Sequence, residues 1–296
     1  MLLRSPAFQA YVAPARLRPQ IWRLLAGLVL CLLIYVAWVF GLLGSLWWLS
    51  GTADPQAWLT PIIGAATPAG TLILLATFFG MALGPMLVVR LLHKRGAATL
   101  FGRGAIVIRH FVVAAGVVGA VYAISLVIWF MRFDAVPNLS WSLWLSLLPL
   151  ALLGLLVQTG AEELLFRGYL QQQLAARFAS PLIWMVLPSL AFGAAHYDPA
   201  TAGGNVWLLI VAAGLFGLVA ADLTAVSGSI GAAWGFHFAN NVAAVLIIAV
   251  QGTMPGLALF TTPYAADDTG AMGGLVAIDL IVLAIVWAFV RRALRR

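Results

Sequence analysis

The chain has 296 residues, of which 64% are apolar and only 8% charged, and its mean hydropathy is +1.05. Soluble domains carry about 25% charge, so this composition excludes a water-covered surface and makes the bilayer the solvent. The net charge of +7 sits in short basic runs beside apolar segments, which suits anionic headgroups and argues against nucleic acid.

In chain order, eight segments have the length and apolarity of helical spans, about 22–48, 69–92, 110–131, 141–166, 181–197, 205–223, 230–251 and 273–290. A span needs roughly 20 apolar residues, and its backbone groups must be satisfied within it. The predicted fold is therefore all-α, a polytopic transmembrane helix bundle of about eight spans. The first is a retained span, since it exceeds the apolar region of a signal peptide. Cys31 lies inside it and reads as core packing. The loops 50–68 and 252–272 carry Gly, Pro and Thr and read as exposed connections. Basic clusters around residues 4–23, 90–109, 167–177 and 291–296 fall on one side when eight spans are counted. By the positive-inside rule that side is the cytoplasm, with both termini in it. Trp47, Trp48, Trp141, Trp144 and Trp207 stand near span ends, where indoles anchor to the interface.

Two stretches break the apolar pattern, Gln158 to Arg177 and Ser227 to Asn241. Polar groups at membrane depth are costly facing lipid, so these must face a cavity or each other. The first contains the only two glutamates in the chain, Glu162 and Glu163. Residues four apart share a helix face, so Glu163 and Arg167 can pair. Glu162 has no basic residue at that spacing. Burial without a partner favours a carboxyl that can take up a proton, as a general base must. The bland alternative is a structural Glu–Arg clamp.

Four histidines are present. His93 and His110 lie by the basic loop, where interface solvation explains them. His196 follows Phe192 by four, and His237 precedes Asn241 by four. If the fourth span continues as helix to Arg177 and turns at Ala179, Glu162 and His196 each lie about 25 Å from the turn. His237, starting from Ser229, reaches only about 12 Å by the same rise. The depths agree when the turn projects beyond the membrane, which the polar Gln171, Gln172, Gln173 and Arg177 would permit.

Glu162-Glu163-xxx-Arg167, Phe192-xxx-His196 and His237-xxx-Asn241, in that order on separate spans, resemble the motifs of the CPBP family of intramembrane proteases. That family includes type II CAAX prenyl endopeptidases and lysostaphin-resistance-A-like proteins. The resemblance covers roughly 140–250. It divides the chain into N-terminal helices without family signal (1–135), a catalytic core (136–255), and a last loop, final span and basic tail (256–296). It implies hydrolysis of a peptide bond in a membrane-associated protein or peptide. Glu162 would activate water, His196 would help hold it, His237 and Asn241 would stabilise the oxyanion, and Glu163 and Arg167 would support the site. The family has been called metalloprotease. Glu162, His196 and His237 could form an open zinc site, and a Glu–His pair can equally act without metal, so zinc is not required by the sequence. Prenylated CAAX proteins are one implied substrate. A bacterial member would lie in the cell membrane.

Competing readings fit less well. Gly228-Ser229-Ile230-Gly231 echoes a rhomboid serine motif, but there serine and histidine occupy separate spans, and Ser229 reads as a helix cap. No histidine is followed by glutamate, which excludes the HExxH zinc proteases. Asp222 and Asp279 lack an aspartyl-protease motif. The non-proteolytic alternative is a membrane binding protein or transporter on the same bundle, but the inverted symmetry of many transporters is not visible.

Overall fold

The computed structural model describes residues 5–295. Its helices are α1 (Pro6–Val12), α2 (Ile21–Ser50), α3 (Pro55–Ile63), α4 (Pro68–Leu91), α5 (Gly104–Arg132), α6 (Trp141–Glu163), α7 (Gln172–Arg177), α8 (Leu187–Ala194), α9 (Pro199–Ala202), α10 (Val206–Ser227), α11 (Gly231–Asn241) and α12 (Thr269–Ala293). Wide π turns extend three of them: Leu164–Gln171 joins α6 to α7, Leu182–Val186 leads into α8, and Val242–Ile247 follows α11. Among the described residues, six helical stretches are long and apolar enough to cross a membrane, and Leu182–Ala194 is a shorter apolar helix. Large apolar side chains such as Leu32, Phe40, Ile108, Ile124 and Leu150 are exposed along these helices. A surface of this kind is stable only against lipid. The chain is an integral, multi-pass, all-α membrane protein.

The segments read as eight spans are helical over most of their length, but the fourth runs on to Arg177, the fifth shortens to Leu182–Ala194, and the seventh falls short of its expected end. The seventh ends at Ile247, and Ile248–Gln251 is a strand, β2. It pairs parallel with β3 (Phe260–Ala265), which pairs antiparallel with β1 (Val136–Pro137). The loop 252–272 is therefore not an exposed connection. Gly256, Leu257, Ala258 and Leu259 are buried in it, and the Gly256 N–H bonds the Ala65 carbonyl at 2.9 Å. The loop 50–68 is exposed over residues 50–57, as expected, and holds α3, capped by the Asp54 carboxylate on the Gln56 and Ala57 N–H groups.

Close packing fixes the helices that carry polar groups. α11 lies directly on α5: a Cβ at Gly231 or Gly235 would collide with the carbonyls of Val107 or Phe111. Small residues four apart allow this approach, as is common in membrane bundles. Ser229 Oγ accepts the Gly231 N–H at 3.3 Å, but the N-cap position of α11 is Ile230, so Ser229 stands one residue before the cap expected of it. α10 is held by α6 and its π turn: Arg167 Nη2 donates to the Gly217 carbonyl and Gln171 Nε2 to the Ala221 carbonyl, each at 3.0 Å.

The run from Trp141 to Arg177 is continuous helix, as the depth argument supposes. Its glutamines do not face water, however. Gln171, Gln172 and Gln173 are all buried. Gln172 Nε2 donates to the Tyr11 and Thr99 carbonyls at 2.7 and 2.9 Å, and the Gln173 amide meets the His93 ring. The N-terminal segment and the loop after α4 cover this end of the helix, and a sequence window cannot reveal that cover.

His93 is part of the same cover. It is buried, not solvated as its place in a basic loop suggests. Nδ1 lies 3.2 Å from the Arg18 carbonyl and must carry the proton there, and Nε2 lies 3.0 Å from the Tyr169 hydroxyl. Burial pushes its pKa down to about 4, and the charges of Arg95, Arg23 and Arg18 push the same way, against the Arg18 carbonyl bond, which raises it.

Candidate active site

Glu162 and Glu163 end α6 on different faces, as the 100° step between adjacent helical residues requires. Glu163 is fully buried, and its Oε1 accepts from Arg167 Nη1 at 3.0 Å. Arg167 is 1% exposed; its guanidinium lies 4.8 Å from the Phe192 ring centroid and bonds the Gly217 carbonyl. A buried cation with carboxylate, carbonyl and aromatic partners is satisfied, which is what keeps such a pair tolerable. Glu163 and Arg167 thus pair as their four-residue spacing predicts.

Glu162 differs. Its own helix offers no cation, but α11 brings His237 to it: Nε2 is 3.5 Å from Glu162 Oε2. His237 Nδ1 is 2.9 Å from Glu163 Oε1. Facing an ionised carboxylate, Nδ1 must be the donor. The imidazole therefore spans the two glutamates, with Glu163 fixing its tautomer and Nε2 aimed at Glu162. Expected as an oxyanion donor, His237 here spends one nitrogen on Glu163. Glu162 Oε1 accepts from Gln158 Nε2 at 2.9 Å.

His196 stands just past the end of α8, exposed on a cavity wall. Its Nδ1 lies 2.8 Å from the Phe192 carbonyl. A carbonyl can only accept, so Nδ1 carries the proton and Nε2 is left as an acceptor. The Phe192 ring lies 4.7 Å from the His196 ring and 6.0 Å from the His237 ring. One aromatic plate thus spaces the two histidines, and the FxxxH spacing acquires a packing role.

Asn241 Nδ2 donates to Gln158 Oε1 at 2.8 Å, and its Oδ1 accepts from Asn240. Glu162, His196, His237 and Asn241 all line one cavity of about 790 Å³. Glu163 and Arg167 stand behind its wall. The sequence reading missed three polar members near Glu162, namely Gln158 as a specific partner, Asn240 and Tyr122. Gln158 had a signal, since it precedes Glu162 by four. Tyr122 had none, because it arrives from α5.

The cavity is walled largely by apolar side chains, among them Leu74, Phe78, Met81, Phe166 and Val245. Its ionisable lining is two carboxyls, Glu162 and Asp279, two histidines, and two tyrosines, Tyr35 and Tyr122. For a metal the fit is poor. His237 Nδ1 is engaged by Glu163 and His196 Nδ1 by a carbonyl, which leaves the two Nε2 atoms as the available imidazole ligands. Among the described residues, no three His, Cys, Asp or Glu side chains converge as metal ligands do. The zinc set of Glu162, His196 and His237 is therefore not formed in this arrangement.

Residues 140–243 match the family described as type II CAAX prenyl endopeptidase Rce1-like, and all three motifs fall within that match. The chain is also similar to the uncharacterized protein YyaK of Bacillus subtilis (strain 168), with 36% identity over 129 residues, 40% of this chain and 41% of the relative. The alignment thus spans well under half of the relative's own length. No solved structure matches the chain.

Proposed function

We propose, from the match of residues 140–243 to the Rce1-like family of type II CAAX prenyl endopeptidases, that this chain is an intramembrane endopeptidase with Glu162 as its general base. The observation that carries the reading is the asymmetry of the two glutamates. Glu163 is neutralised behind the wall by Arg167 and accepts from His237, whereas Glu162 lines the cavity between Gln158 and His237.

Water held between Glu162 and His196 Nε2 gives a proton to Glu162, and the oxygen forms a bond to the substrate carbonyl carbon. The carbonyl π electrons move to oxygen, and the oxyanion takes a hydrogen bond from Asn241. The Asn241 amide has two N–H groups, one of which is spent on Gln158. The intermediate collapses with cleavage of the C–N bond, and the proton passes from Glu162 to the leaving nitrogen. Preorganised donors of this kind act in a water-poor site where they are strongest.

The substrate is a membrane-associated protein or peptide. A largely apolar cavity of this volume accommodates an extended peptide together with a lipid-like group, which favours a prenylated C-terminus. The test is cleavage of prenylated-peptide and unmodified membrane-peptide libraries by the purified protein and by Glu162→Ala. Cleavage by the native chain and loss in the variant are expected; equal cleavage by both ends the assignment. Selective cleavage of unmodified peptides would reject prenylation alone.

A further inference from the structure

An unbroken line of hydrogen bonds runs from α5 to Glu162. The Tyr122 hydroxyl donates to Asn240 Oδ1 at 2.6 Å. Asn240 Nδ2 donates to Asn241 Oδ1 at 3.1 Å. Asn241 Nδ2 donates to Gln158 Oε1 at 2.8 Å, and Gln158 Nε2 donates to Glu162 Oε1 at 2.9 Å. Every link uses one donor and one acceptor, and every donor points towards the glutamate. All five side chains line the same cavity.

The direction is chemically determined. An ionised carboxylate only accepts, so Gln158 must present its NH2 group to Glu162, and its oxygen then faces Asn241. Asn241 must present NH2 to that oxygen, Asn240 must do the same to Asn241, and the tyrosine is left to donate. Reversing any single amide would set oxygen against oxygen or NH2 against NH2. In a poorly solvated interior such chains polarise along their length.

We infer that Gln158, Asn240 and Tyr122 are positioning residues that orient the Glu162 carboxylate, with Asn241 as the link that joins them to the oxyanion side of the site. The inference rests on the protease reading above. Gln158 holds Oε1 by the one hydrogen bond that Glu162 accepts from a neighbouring side chain among the described residues, while Oε2 lies 3.5 Å from His237 Nε2, so the relay is what orients the carboxylate. The relay also ties three helices together at the reacting centre: Tyr122 comes from α5, Gln158 from α6, and the asparagines from α11. A substrate that moves α11 would move Glu162 with it.

The experiment is a double-mutant cycle, read as kcat and KM on a fluorogenic version of the peptide cleaved best in the library test. Gln158→Leu is expected to lower kcat about 10- to 100-fold, the scale of one charge-assisted hydrogen bond, with KM changed less than about twofold. Tyr122→Phe, three links away, is expected to lower kcat about 3- to 10-fold. In the Gln158→Leu background Tyr122→Phe should cost nothing more, because its route to Glu162 is already cut. Packing defects would add, and additive losses overturn the relay, as does an unchanged kcat in Gln158→Leu. If Gln158→Leu does not fold, Asn240→Asp takes its place in the cycle, since aspartate accepts from Tyr122 but cannot donate onward. Glu162→Ala run alongside separates the two ideas: activity surviving there sinks the protease reading, whereas activity lost there with an additive cycle sinks only the relay.

Discussion

The run from Trp141 to Arg177 carries two buried polar clusters, and they are built for different ends. The first, around Glu162, Glu163 and Arg167, opens onto a cavity. The second, around Tyr169, Gln172 and Gln173, is sealed by Tyr11, His93 and Thr99. Both are costly at this depth and both are hydrogen-bonded. In the second cluster the partners named are backbone carbonyls and a neutral imidazole, which join the N-terminal segment to the core. In the first, one carboxyl is neutralised and the other faces open space. Buried polarity alone thus does not mark a reacting site; a chargeable group beside a cavity does.

That contrast can be broken most directly at Glu162. Glu162→Ala should lower peptide cleavage about 10³-fold, within the range of general-base removal, while thermal unfolding in detergent stays close to that of the native chain. Next is Arg167→Met, which leaves Glu163 buried without its cation. It should cost about 3–5 kcal/mol of stability, read as a large fall in the melting temperature. If it melted like the native chain, the pair would not be what neutralises Glu163.

Gln172→Leu tests the sealed cluster. It leaves the Tyr11 and Thr99 carbonyls without their donor and should destabilise by about 1–3 kcal/mol, with kcat per folded molecule unchanged. A fall in kcat matching Glu162→Ala would erase the distinction between the clusters. The same sealed cluster is also open to a test by pH. His93 titrates lower in the folded chain, at about 4, than its ordinary value of 6.5. The unfolded chain therefore binds more protons between these values, so the stability due to neutral His93 is complete above about 6.5 and lost as pH falls towards 4. Melting temperature against pH should show this slope, and His93→Asn should flatten it.

Much of the architecture was legible from composition and spacing. Apolar runs placed the helices, because a bilayer leaves helix as the economical way to satisfy a spanning backbone. The four-residue spacing paired Glu163 with Arg167, because that contact is local. The same spacing set Phe192 beside His196. By contrast, nothing local foretold that His237 would stand between the two glutamates, or that Gln171 to Gln173 would be covered. Those depend on α11 pressing against α5 and on the N-terminal segment folding over α7.

The sequence by itself determined that this is a multi-pass helical membrane protein, and it determined which polar residues lie too deep to face lipid. Helical period and hydropathy are local properties and need no partner. The tertiary structure alone decided what those residues do for one another. It put His237 and Gln158 at the two oxygens of Glu162 and closed the line from Tyr122 through Asn240 and Asn241. Hydrogen bonds between helices depend on ångström-scale approach, and here that approach is set by glycines on α11 that meet the carbonyls of α5.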